Sequence, residues 1–110
     1  MKLDQLHHLV VEALDDLKAK DIVTLDVREM TGMTDQMVIC TGTSSRHVRS
    51  LASNVSSEAK KQGVMALGVE GDNGSDWVLV DFGDIVVHVM MAEAREFYEL
   101  EKLWSVPAPE

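Results

Sequence analysis

Several residue types that usually dictate a small protein's chemistry are scarce in these 110 residues. There is one cysteine, Cys40, so no internal disulfide can form. With no partner thiol and no signal-like N-terminus, a cytoplasmic location is expected. No apolar run approaches the roughly 20 residues that span a bilayer, which excludes a membrane helix from the expected architecture. Basic residues are few, 10 against 19 acidic ones, giving a net charge of −9. That balance argues against a broad grip on naked nucleic acid, which needs a Lys/Arg surplus. It suits solubility and steering towards a basic partner. Aromatics are scarce too: Trp77, Phe82, Phe97, Tyr98 and Trp104, all in the last third of the chain.

What is present is ordinary for one globular domain. Apolar residues make up 45% and charged residues 26% of the chain. A chain of this length buries about 65% of its extended surface, so a core needs no covalent staples. The domain is expected over residues 1–105, with 106–110, containing Pro107 and Pro109, as a disordered tail.

Periodicity predicts a helix over 2–19, where Leu3, Leu6, Val10, Ala13, Leu14 and Leu17 form one apolar stripe. Residues 22–28 alternate as a strand with one apolar face. The 37–41 run is short and nearly continuously apolar and suits a strand buried on both faces. Gly42-Thr43-Ser44-Ser45 turns into a second helix with Val48, Leu51, Ala52, Val55 and Ala59 as its stripe, ending near Gly63. Strand, helix, strand suggests a βαβ unit whose second parallel strand is 66–70. Residues 77–82 and 85–91 read as a hairpin turning at Gly83-Asp84, type II′, and 93–101 as a short helix. The expected fold is α/β (α+β), a mixed five-stranded sheet covered by helices.

Four constellations bear on chemistry. The strand–turn–helix at Thr43, Ser44, Arg46 and Arg49 has an anion-binding geometry, but it lacks the P-loop and dinucleotide glycine patterns. Helix capping beside a solvated basic edge is the simpler reading. Asp72, Asp76, Asp81 and Asp84 crowd one region, yet no D-x-D pair lies on a strand, so turn aspartates are the simpler reading. His7 and His8 are adjacent and cannot share a helix face as a metal pair. Cys40 reads as a small core residue and His88 as a structural histidine. No complete catalytic set, metal site or cofactor site emerges, so a non-enzymatic role is expected. The remaining signal is the late aromatic cluster with Met90 and Met91, since Trp and Tyr are common interface anchors.

Three strings then carry a resemblance: Gln36-Met37-Val38-Ile39-Cys40-Thr41-Gly42-Thr43-Ser44-Ser45-Arg46-His47-Val48-Arg49, Trp77-Val78-Leu79-Val80-Asp81-Phe82-Gly83-Asp84-Ile85-Val86-Val87-His88, and Arg95-Glu96-Phe97-Tyr98-Glu99-Leu100-Glu101-Lys102-Leu103-Trp104. In this order they resemble the ribosomal silencing factor family, RsfS, also called Iojap-like. The resemblance implies a nucleotidyltransferase-like topology without that activity. It implies a translation repressor that binds the large ribosomal subunit through its ribosomal protein number fourteen. Occupying that face blocks joining of the small subunit under nutrient limitation. It implies a homodimer when free, and a contact surface at Trp77, Asp81, His88, Arg95, Tyr98, Leu100 and Trp104. The alternative is a nucleotidyltransferase-like enzyme that handles phosphate or nucleotide at the 42–49 turn.

Overall fold

The computed structural model describes residues 2–28, 34–71 and 76–98, with side chains as far as Glu96. The expectations for Leu100, Trp104 and the 106–110 tail, and for the side chain of Tyr98, lie outside the described residues. The elements run α1 (Leu3–Asp16), β1 (Lys20–Asp26), β2 (Gln36–Gly42), α2 (Ser45–Lys61), β3 (Gly68–Glu70), β4 (Trp77–Asp81), β5 (Ile85–Met91) and α3 (Ala92–Tyr98). The five strands form one mixed sheet in the order β1-β2-β5-β4-β3.

One expected pairing is corrected. The 66–70 segment does not lie parallel to β2. Its ordered part, β3, pairs antiparallel with β4 at the sheet's edge. The parallel partner of β2 is β5, in register from Gln36–Ile85 to Gly42–Met91. Burial explains the choice. β2 and β5 are the two strands covered on both faces, so they take the centre. β3 leaves Val69 exposed, as are Met65 and Leu67 before it, and it fits only an edge.

The two apolar stripes read from the sequence meet on one face of this sheet. Leu6, Val10, Ala13 and Leu14 of α1 and Val48, Leu51, Ala52, Val55 and Ala59 of α2 are buried against Val38, Cys40, Val78, Val80, Val87 and Val89. Period 2 along the strands sends the alternate residues to the opposite face. There Val27, Met37, Ile39, Met90 and Ala94 form a smaller core under α3, with Leu25 and Trp77 against it.

Both long helices end in the same way. In α2, Val64 N–H donates to Ala59 O and Gly63 N–H to Lys60 O, with Gly63 at φ +84°. In α1, Ala19 N–H donates to Leu14 O and Lys18 N–H to Asp15 O, with Lys18 at φ +63°. This is the Schellman closure. Glycine occupies the left-handed position in one case; a lysine bears its steric cost in the other. α1 therefore stops short of the expected 2–19 span, because Lys18 turns the chain out of the helix.

The turn between β2 and α2 depends on Gly42. A Cβ there would stand 2.8 Å from Val48 Cγ2 and 3.1–3.2 Å from Val48 backbone atoms. Contacts that short force the helix off the strand end. Gly42→Ala is expected to cost about 1–2 kcal/mol, read as a lower midpoint in urea at unchanged m-value.

The hairpin at Gly83-Asp84 is as expected. Gly83 has φ +88° and Asp84 is not in the left-handed region, which excludes type I′. Phe82 N–H donates to Ile85 O across it at 2.9 Å.

Candidate functional site

The strand registers lay out the face that carries Trp77. One row across the sheet runs Leu25, Met37, Val86, Asp81 and Gly68. The next runs Val23, Ile39, His88, Leu79 and Glu70. The third holds Thr41, Met90 and Trp77. α3 lies over the β2–β5 side of this face, burying Met37, Ile39 and Met90. Trp77, Leu79 and Val86 are only half-buried. Trp77 and Leu79, with Glu70 and Gly71, line a shallow hollow of about 180 Å³.

Trp77 is held by a specific partner. Its indole Nε1–H donates to His88 Nδ1 at 3.0 Å, and the two rings lie 5.8 Å apart, tilted by 41°. An indole N–H only donates, so Nδ1 must be the acceptor and the neutral imidazole carries its proton on Nε2. His88 is 5% exposed, and Nε2 has no hydrogen-bond partner among the described residues. Burial pushes its pKa down from 6.5 to about 4, so the ring is neutral at physiological pH. The sequence reading of a structural histidine holds for one ring nitrogen. The other is a buried donor left without an acceptor among the described residues, and nothing local in the sequence marks it.

Asp81 shares the face with Trp77 and Leu79, as alternation required. Its Oδ1 accepts from Gly83 N–H at 2.7 Å, so one carboxylate oxygen braces the hairpin. Arg95 reaches inward from α3. Its Nη1 donates to Asp21 O at 2.7 Å and to Thr41 Oγ1 at 2.8 Å. Those bonds tie α3 to β1 and to the end of β2. Asp21 sits at φ +50°, where β1 slips its register against β2 between Lys20 and Val23. The exposed kink offers a carbonyl that Arg95 uses.

At the β2–α2 turn the donors are committed internally. Ser44 Oγ caps α2 by accepting from His47 N–H at 3.0 Å. Thr43 N–H donates to His47 Nδ1 at 2.9 Å. His47 Nε2 in turn donates to Leu17 O at 2.7 Å, locking the start of α2 to the end of α1. The imidazole thus sits where a phosphate cradle would need open N–H groups. Arg46 and Arg49 line a groove with Ser50, Ser53 and Ser57 of the same helix, to which Thr43 and Ser44 do not contribute.

The remaining chemistry is quiet. Cys40 is buried, and burial pushes its thiol up to about 12, so it stays protonated and unreactive. Among the described residues no three His, Cys, Asp or Glu side chains converge on a point. No helix among them is long and apolar enough to cross a membrane.

An acidic α/β domain whose notable surface is an aromatic-bearing sheet face has the features of a binding module. Comparison with known proteins gives its kind. The family model described as "Ribosomal silencing factor during starvation" matches residues 1–110. A protein of Haemophilus influenzae named ribosomal silencing factor RsfS is 51% identical over 100 residues, covering 91% of this chain and 98% of that protein. One of the same name from Chromobacterium violaceum is 42% identical over 109 residues, covering 99% and 89%. A crystal structure from Chromobacterium violaceum superposes with a TM-score of 0.94 at 42% identity, covering 100% of this chain and 92% of that one. The chain belongs to the ribosomal silencing factor family. These relatives are named ribosomal silencing factors, and the expected fold class, a mixed five-stranded sheet with helices packed on it, is that of the superposed crystal structure.

Proposed function

We propose that this chain represses translation by binding the large ribosomal subunit through its ribosomal protein number fourteen and excluding the small subunit, chiefly under nutrient limitation. The observation that carries this reading is the sheet face around Trp77. A large aromatic is fixed by a buried histidine beside half-buried Leu79 and Val86, which is how interface anchors are held in advance of binding. The net charge of −9 favours encounter with a basic ribosomal protein. Silencing then needs no chemistry. A standard interface of roughly 1,600 Å² gives affinity, and the bulk of the domain does the blocking. The site works in the cytoplasm, where subunits join.

A homodimer of the free chain fits the same picture. Met65 and Leu67 are 64% and 74% exposed beside the edge strand β3, an apolar rim suited to a second copy.

The test is subunit joining. Purified large subunits are preincubated with the protein, small subunits are added, and the mixture is resolved on a sucrose gradient. The joined-ribosome peak is expected to fall by about half once the protein reaches its Kd. A joined peak unchanged at saturating protein, with the protein still riding on large subunits, would refute steric exclusion.

A further inference from the structure

The two helices that cover the sheet divide the chain's charge between them. α1 carries Asp4, Glu12, Asp15 and Asp16 and no Lys or Arg. α2 carries Arg46, Arg49, Lys60 and Lys61, four of the chain's ten cations, with Glu58 as its one carboxylate. Glu58 is engaged by Lys61 at 2.8 Å. Among the described residues Arg46, Arg49 and Lys60 have no acidic partner, although acids outnumber bases almost two to one.

The two arginines share a surface with a row of short hydroxyls. Arg46, Arg49, Ser50, Ser53 and Ser57 line an open groove of about 530 Å³. Arg49 and Ser53 also border a second groove of about 330 Å³ with Ser56, towards the edge strand. Arg49 stands between the two. From Arg46 to Ser57 the row covers about 16 Å of helix.

We infer that this outer face of α2 is a second docking surface, and that it receives the sugar–phosphate backbone of RNA. The chemistry selects that partner. Guanidinium groups match phosphate oxygens in a planar, two-point fashion. Serine is short enough to bring a strand close to the helix and donates hydrogen bonds to phosphate. A membrane surface would ask for large apolar side chains between the cations, and this row has serines there. It holds no aromatic on which a base would stack, so it contacts backbone and reads no sequence. The chain's overall acidity opposes a broad grip on nucleic acid and leaves room for a narrow one, confined to a single helix face. α2 lies on the sheet face opposite Trp77, so this surface goes beyond the protein-binding reading above and does not compete with it. The ribosomal association of the family supplies RNA at the place of action.

The experiment uses the full chain and a fluorescein-labelled RNA hairpin, followed by anisotropy at several salt concentrations. Binding is expected with a Kd of about 10⁻⁵–10⁻⁴ M at low salt, weakening steadily as salt rises. The pair Arg46→Gln and Arg49→Gln is expected to weaken it by about tenfold and to flatten the salt slope by roughly 1.5, about two phosphate contacts. Arg46→Lys with Arg49→Lys should restore part of the affinity, while Trp77→Ala stays within about twofold of the parent. Hairpin binding unchanged in the double glutamine variant would overturn the proposal. So would phosphatidylserine vesicles or polyglutamate binding the chain as tightly as the hairpin. Cosedimentation of the Trp77→Ala chain with large subunits reports separately on the protein-binding reading.

Discussion

Trp77→Ala lowers affinity for the large subunit by about thirtyfold or more, at least about 2 kcal/mol, while the domain stays folded. The expectation follows from how the indole is held. It sits in the third row of the Trp77 face opposite Met90, half-buried, with its N–H spent on His88 and its outer surface bordering the hollow with Leu79 and Glu70. A ring fixed in this way loses little rotamer freedom on binding, so most of its buried area counts towards affinity. Trp77→Phe separates two contributions. It keeps much of the apolar area but removes the N–H, and should lose less affinity than the alanine variant. Cosedimentation with large subunits gives the measurement, and circular dichroism confirms the fold. Parental affinity in a folded alanine variant would remove this face as the contact surface.

The second large effect concerns pH. His88 stays neutral in the folded domain until about pH 4, whereas in the unfolded chain it titrates near 6.5. Between these values the unfolded state binds the extra proton, so stability falls as pH falls. The loss attributable to His88 is about 2 kcal/mol by pH 5 and about 3 kcal/mol by pH 4, and it levels off only below pH 4, once the folded-state ring is itself protonated. Burial is the cause, and the bond to Trp77 acts in the same direction. A proton on Nδ1 would face the indole N–H donor to donor. Urea titrations at pH 7, 5 and 4 on the parent and on His88→Gln measure the difference between the two chains. Carboxylates titrate in both and cancel. Equal losses in the two chains would mean that His88 is not held neutral in the folded state.

The local elements were largely legible in the sequence, because each rests on local periodicity. Every stripe residue named for α2 is buried, and so are Leu6, Val10, Ala13 and Leu14 of α1. The alternation that put Trp77, Leu79 and Asp81 on one face is the observed one. What periodicity lacks is information on which strands pair. The 66–70 segment follows a helix, as the second strand of a βαβ unit does, and that order misled. Nearly unbroken apolar runs at 37–41 and 85–91 suit strands buried on both faces, but 77–80 is as unbroken, so the run of apolar residues alone does not choose the central pair. Arg95 illustrates a different limit. Its acceptors, Asp21 O and Thr41 Oγ1, are 74 and 54 residues away in sequence, and nothing local marks them. The state of His88 depended on a cross-strand neighbour as well. Once Leu79 was opposite His88, Trp77 was a diagonal neighbour within reach.

The position of β5 also governs when the fold can be completed. This strand is made late, yet it stands in the middle of the sheet, between β2 and β4. A growing chain that has reached only the β3–β4 region has its two long helices and two separate pieces of sheet, β1–β2 and β3–β4, with no strand between them. The inner edge of β2 then presents unpaired amides along Gln36–Gly42, a template for any other extended segment nearby. Synthesis of Ile85–Met91 closes both gaps in one event. Folding of the sheet is therefore expected only once β5 has been made, with residues far apart in the chain meeting late. A ribosome that stalls before residue 85 holds an aggregation-prone fragment and not a half-finished domain.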